Sequence, residues 1–250
     1  MSLDNIKMSI ILSSRDRPEK LRTVIKSLIQ NSENCRLIEF LIIIDDDDDV
    51  TKVECDNLIS SHDKANIRYF IFKRRGYEYL PQNQHEVIIR HLRGELILFW
   101  GDDIYMKPTI GWDSILYEEY FKKNFGVYFI PCNHVRSNWK EFGIKNKIDT
   151  CTGPFAMPTD FYRKIGVCDN PAWDTWVELI SQEACCYYVV HELSSNHDRS
   201  HDKLSERSAR IRRETNSKAV FQSEYNVKER SRWASVIKDH IRTLNKCNNE

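Results

Sequence analysis

GELILFWGDDIYMKP, running from Gly94 to Pro108, decides how the rest of the chain is read. Large apolar residues in succession, Leu96 to Trp100, read as a strand buried on both faces, as the inner strands of a parallel sheet are. The run stops at Gly101, and two carboxylates, Asp102 and Asp103, follow where the strand ends. Open α/β sheets bind ligands at the carboxyl ends of their strands. Paired anionic oxygens in that place suit a divalent cation that bridges to a phosphate. A second apolar run, Phe40 to Ile44, also ends in acid, Asp45 to Asp49. The pattern predicts a chain that holds a metal and a phosphorylated ligand.

Outward from these strands, the first half alternates strand and helix. Lys7 to Leu12 reads as a strand. Arg17 to Gln30 reads as a helix, with Pro18 in its first turn and Leu21, Val24, Ile25 and Leu28 on one face. Leu37 to Ile44 is a strand, Val53 to Ser61 a short helix, Ile67 to Phe72 a strand, and Asn83 to Leu92 a helix with Val87, Ile88 and His91 on one face. Such alternation predicts a mostly parallel sheet covered by helices. Neither GxGxxG nor GxxxxGK[ST] occurs, which argues against dinucleotide and P-loop versions of the fold. Further on, Gly126 to Pro131 reads as a strand, and residues 133–160 as loops lining a pocket. Asp174 to Cys186 reads as a helix, Tyr187 to Val190 as a strand, and residues 194–218 as a polar, basic, lid-like segment. Arg230 to Lys246 fits an amphipathic helix with Trp233, Val236, Ile237, Ile241 and Leu244 on its stripe.

Composition narrows the class. With 250 residues, 41% hydrophobic and 30% charged, the chain can bury a sizeable core and reads as a globular protein. A formal net charge of zero gives no reason to expect nucleic acid or an anionic membrane as partner. No run approaches the roughly 18 apolar residues of a membrane span, and no signal peptide is evident, so a soluble, cytoplasmic protein is expected. Its eight cysteines lack CxxC spacing and are expected as reduced thiols without a function.

Four segments together resemble the GT-A glycosyltransferases, and within them the inverting, family 2-like group. SIILSSRDRPEKL (9–21) looks like the first strand and loop of that fold. LIIIDDDDD (41–49) looks like the second strand and its nucleotide-contacting acid. GELILFWGDDIYMKPTIGWD (94–113) looks like the segment bearing the DxD motif, and CDNPAWDTWVELI (168–180) like the one bearing a catalytic aspartate before a helix. The resemblance spans about residues 8–197 in family order. It implies an α/β, Rossmann-like GT-A fold: a mixed, mostly parallel sheet flanked by helices, with a C-terminal helical extension. Residues 1–197 would form the nucleotide-sugar-binding and catalytic domain. Residues 198–250 would add a basic lid and an amphipathic helix packed on that domain. Two departures stand out: Trp100 replaces the first acid of the DxD triplet, and Trp173 precedes the candidate base where the family often has a second acid.

The implied activity is metal-dependent transfer of a sugar, in the manner of a hexosyltransferase. The donor would be a nucleotide-diphosphate sugar, with UDP as the commonest carrier. The acceptor would be a hydroxyl of a glycan, protein or small molecule, reached with inversion. Asp102 and Asp103, with His197 as a third ligand, would hold Mn²⁺ or Mg²⁺, and the cation would stabilise charge on the departing diphosphate. His191 and His201 compete for the histidine role. Ser13, Ser14, Arg15, Asp45, Asp47 and Asp102 would contact the nucleotide. An extended run points alternate side chains to opposite sides, so the other acids of 45–49 are expected in a solvated loop or at a helix N-cap. Lys73, Arg74 and Arg75, and the basic segment Arg199 to Arg213, are further phosphate partners to consider. Asp174 would be the general base, its pKa raised by Pro171, Trp173 and Trp176. It equally fits the N-cap of the helix it precedes.

Three rivals are weaker. A polymerase-type Gly-Asp-Asp site needs a longer chain and a basic template groove. A sugar-phosphate nucleotidyltransferase usually has a Gly-rich loop after its first strand, and SSRDRPEK has no glycine. A non-catalytic GT-A-like nucleotide- or sugar-binding protein is the remaining alternative, in which Asp174 would be dispensable.

Overall fold

Parallel strands buried on both faces need apolar side chains at most positions, and the inner strands of this chain supply them. The computed structural model describes residues 6–123, 125–132, 154–165, 173–198 and 224–247, with backbone alone at 77, 173–175, 224–226 and 244–247. Among these, β1 (Met8–Ser13), β2 (Ile38–Asp45), β3 (Asn66–Phe72), β4 (Leu96–Gly101), β6 (Val127–Phe129), β7 (Phe155–Pro158) and β8 (Tyr187–Val189) form one sheet in the order β3-β2-β1-β4-β7-β6-β8. Only β7 runs against the others. A separate two-stranded ribbon pairs β5 (Ile104–Met106) with β9 (Ser195–His197).

Helices α1 (Pro18–Asn31), α2 (Asp49–Ser61), α3 (Leu80–His91), α4 (Trp112–Lys123), α5 (Thr159–Ile165), α6 (Trp173–Glu183) and α7 (Glu224–Cys247) complete the described elements, with two short 3₁₀ turns. The twofold alternation of each strand divides the core into two. Ile10, Leu12, Leu98 and Trp100 meet Leu21, Val24, Ile25 and Leu28 of α1 on one face. Ile11, Leu41, Ile97 and Phe99 meet Val87 and Ile88 of α3 on the other, where α7 adds Ala234 and Ile237.

Several expectations shift in instructive ways. Helix α2 starts at Asp49, four residues before the expected Val53, because the Asp48 carboxylate accepts the Thr51 N–H at 3.0 Å and caps it. Within the expected loop region 133–160, Phe155–Pro158 is an inner strand and Thr159 opens α5; residues 133–153, with Trp139 and Phe142, lie outside the described residues. Ser195–His197, expected in a lid, is a strand, and residues 199–223 lie outside the described residues. On α7, Trp233, Ala234, Ile237 and Ile241 face the core, and this rotation leaves Val236 41% exposed. No helix among the described residues is long and apolar enough to cross a membrane.

Register sets the working edge. Ser13 of β1 lies level with Ile43 of β2 and Gly101 of β4, so three strands end side by side and the loops after them emerge together. The opposite edge is fastened by Glu39, fully buried at the start of β2. Its carboxylate accepts from the Ser9 hydroxyl at 2.5 Å, from Arg68 at 2.6 Å and from both the backbone and side chain of Arg93 at 2.8 and 2.9 Å. Gly94 reaches this knot because it has no side chain; a Cβ there would stand 2.6 Å from Ser9 Oγ, 2.7 Å from Ser9 N and 2.8 Å from the Met8 carbonyl carbon. Two of those atoms are backbone of a central strand and cannot step aside. Gly94→Ala is therefore expected to cost about 1–3 kcal/mol by overpacking, read as a lower midpoint in urea unfolding with an unchanged slope.

Candidate functional site

The site grows out of the turn after β4. The Trp100 indole N–H donates to the carbonyl of Ile104, folding the Gly101–Asp103 turn back on the strand while the ring packs beside Trp112. Gly101 suits that turn, since a Cβ would lie 2.8 Å from Asp103 Oδ1. Trp100, at the position where the sequence resemblance implies an acid, thus acts as the clasp that aims the next two acids. Directly after them, β5 pairs with β9, setting Ile104 opposite His197. The histidine therefore arrives beside Asp103, its Nε2 3.1 Å from Asp103 Oδ2, and the Asp198 N–H donates to the Asp103 carbonyl at 2.7 Å.

The two acids are not equivalent. Asp102 is 2% exposed, and burial pushes its carboxyl up to about 7 against the opposing pull of Arg17. One of its oxygens, Oδ2, and the nearby Ser14 hydroxyl each lack a hydrogen bond of good geometry among the described residues. For Asp103, burial alone would raise the pKa, but the hydrogen bond from His197 and the guanidinium of Arg17 outweigh it and hold the carboxyl below its ordinary value. Arg17 bridges the pair, 2.6 Å from Asp102 Oδ1 and 3.2 Å from Asp103 Oδ2. One turn further along α1, Lys20 Nζ donates to the Asp198 carbonyl at 2.9 Å.

The acidic run 45–49 is arranged differently. Arg15 reaches from the β1 loop to Asp45 at 3.0 Å and Asp47 at 2.5 Å. Arg74, after β3, donates from its backbone to Asp46 at 3.0 Å and from its side chain to Asp47 at 2.9 Å. Asp48 accepts the Asp16 N–H at 2.8 Å as well as capping α2, and Asp16 adopts the left-handed conformation that Asp tolerates. Hydrogen bonds to Arg15 and Arg74 hold the Asp47 carboxyl down at about 2, while burial raises Asp45 despite Arg15. Neighbouring carboxylates that would repel are thereby bridged by two arginines, with Asp47 held by both.

The structure thus gathers Ser13, Ser14, Arg15, Asp45, Asp47, Asp102, Asp103 and His197 on the edge where β1, β2 and β4 end. Asp174 stands in the first turn of α6, with its side chain outside the described residues, as are His201 and the segment Arg199–Arg213. Exposed His191 lies in the turn after β8. Among the described residues no three His, Cys, Asp or Glu side chains converge as a ready metal cage. The buried Asp102 oxygen that lacks a well-formed hydrogen bond, beside a second carboxylate and an imidazole, is nonetheless a donor set of the hard and borderline kind that suits Mn²⁺ or Mg²⁺. Sequence reasoning missed Arg17 and Lys20. Their signal was position, the start of a helix that follows an inner parallel strand, where cations meet ligands at the sheet edge.

No protein-family model matches the sequence, and no curated protein matches it. Solved structures do. The mannosyltransferase PcManGT from Pyrobaculum calidifontis, in complex with GDP-Man and Mn²⁺, matches with a TM-score of 0.63 at 11% identity, covering 92% of this chain and 73% of that one. S. aureus TarS 1-349 matches at 0.61 and 13% identity over 88% of this chain and 73% of its own. GalNAc-T7 with UDP, GalNAc and Mn²⁺ matches at 0.60 and 14% identity over 78% of this chain and 44% of that one. The chain has the fold of the GT-A glycosyltransferases.

The buried acid gives a signed pH dependence in metal-free protein. Asp102 binds its proton more tightly folded than unfolded, so its contribution to stability is fully present below about pH 4 and is lost as pH rises through about 7. In EDTA, the wild-type melting temperature is expected to fall across that window by more than that of Asp102→Asn, which has no proton to lose; parallel curves would refute this.

Proposed function

We propose that the chain is a glycosyltransferase that moves a sugar from a nucleotide-diphosphate sugar to an acceptor hydroxyl with the help of a divalent cation. The observation that carries this reading is the pair Asp102–Asp103, aimed by the β4 turn and joined by His197 at the ligand-binding edge of a GT-A sheet. Its support from elsewhere is that TarS has been solved with UDP and with UDP-GlcNAc, GalNAc-T7 with UDP and Mn²⁺, and PcManGT with GDP-Man and Mn²⁺. UDP is the carrier we favour.

Asp102, Asp103 and His197 would hold Mn²⁺ or Mg²⁺, which when bound neutralises charge that develops on the departing diphosphate. Arg15 and Asp45, locked together beside Ser13 and Ser14, offer a rigid donor–acceptor surface to the nucleoside, and Asp47 sits at its rim. Lys20 stands one helical turn behind Arg17, adding positive charge on the side the phosphates would approach. Asp174 takes the proton of the acceptor hydroxyl as that oxygen bonds to the anomeric carbon and the bond to the diphosphate breaks. Attack from the face opposite the leaving group inverts the sugar.

The test is thermal stability against UDP, GDP and their sugars, with and without Mn²⁺, followed by assay of nucleoside diphosphate release. A stabilisation that needs both metal and nucleotide is expected, and Asp102→Ala/Asp103→Ala should abolish it. Asp174→Asn should keep that stabilisation while lowering turnover by roughly 10²–10⁴-fold, the span of general-base catalysis. Binding without any release from the wild type would instead mark a nucleotide-sugar-binding protein.

A further inference from the structure

Resting on the donor-site reading above, we propose that Arg17 is an exchangeable counter-ion, which occupies the acid pair until a metal binds there and then turns to the diphosphate of the donor. The metal-ligand set is not idle in this structure. Arg17 Nη2 holds Asp102 Oδ1 at 2.6 Å, and Nη1 shares Asp103 Oδ2 with His197, at 3.2 and 3.1 Å. A single guanidinium therefore contacts both carboxylates of the pair that would hold a cation. Asp102 Oδ2 makes no hydrogen bond of good geometry among the described residues, with the Ser14 hydroxyl nearby.

Charge decides what happens when a divalent cation arrives. Two carboxylates balance one divalent cation, whereas two carboxylates and a guanidinium leave only a single negative charge to receive it. A guanidinium and a metal on adjacent oxygens also repel at short range in a site where one acid is 2% exposed and the other 16%. One of the two cations has to leave, and Arg17 is built to do so. It precedes Pro18 with non-helical φ of −135° and ψ of 51°, and its side chain does not cap α1, so the helix survives its departure. Its side chain is already 33% exposed. A planar fork that has released a carboxylate pair matches the spacing of phosphate oxygens equally well. Lys20, on the next turn of α1, adds charge of the same sign to that destination.

Metal and donor then favour each other. The metal displaces Arg17, the displaced Arg17 finds the diphosphate, and each event makes the other easier by the same factor. Metal alone is opposed, because Arg17 leaves the acids for water rather than for phosphate.

Mn²⁺ binding to the full chain at pH 8, followed by electron paramagnetic resonance of the free ion without nucleotide, tests this on wild type, Arg17→Gln and Arg17→Lys. Arg17→Met serves as a second neutral variant should the glutamine fail to fold. The neutral variants should bind Mn²⁺ about tenfold tighter than wild type or more, within the usual range for coupled sites. Arg17→Lys, which keeps the charge, should stay near wild type. At saturating Mn²⁺ the stabilisation by UDP or GDP should fall in the neutral variants, so that metal affinity and diphosphate affinity move in opposite directions. A merely structural arginine would weaken both or neither. Equal Mn²⁺ affinity in all the proteins overturns the exchange and leaves the donor site standing. Absence of Mn²⁺ binding from every one of them overturns both.

Discussion

Too many carboxylates sit on one edge of this sheet for it to be stable unaided, and the short loop after β1 resolves the conflict. Arg15 reaches one way, to Asp45 and Asp47 beyond β2, while Arg17 reaches the other way, to Asp102 and Asp103 beyond β4. The central strand thus carries the positive charge that its two neighbours need. Because β1 is hydrogen-bonded to both, the register that aligns the strand ends also sets the distances between the opposed charges. Exposed ion pairs of this kind contribute little each, but Asp102 is buried, and removing its partner would strand a carboxylate in the interior.

The fold was largely legible because its inner strands leave no alternative. Leu96 to Trp100 and Phe40 to Ile44 are apolar at every position, which only a strand covered on both faces accommodates, and their termini follow from the Gly or Asp that stops each run. Short elements were not legible. β7 is four residues long, and Phe-Ala-Met-Pro has neither alternation nor a turn signal of its own; it is a strand because β4 and β6 flank it. β5 and β9, three residues each, are strands only because they pair with one another from distant parts of the sequence. Where tertiary pairing supplies the structure, local pattern carries no trace of it.

Much the same distinction runs through the site. Asp102, Asp103 and His197 could be named from strand ends and resemblance, since a carboxylate held at the end of a buried strand is costly unless it binds something. Arg17 could not. Beside Pro18 it reads as the ordinary start of a helix, and its role depends on Asp103, a partner 86 residues away that only the sheet order brings near. In the sequence, Trp100 stands for a missing acid. In the fold its indole bends the acidic turn, an effect visible only once the Ile104 carbonyl is in place.

The reversal of β7 has a further consequence, for where neighbouring strands begin and end. Because β6 runs with β4 and β7 against it, β6 ends at Phe129 and β7 begins at Phe155 on the same edge as the acid pair, where the Ile130 N–H donates to the Pro154 carbonyl at 2.9 Å. The two ends of the intervening stretch are thus fixed on neighbouring posts at the mouth of the site. Ends bonded to one another in this way fix the register of β6 against β7 at that edge.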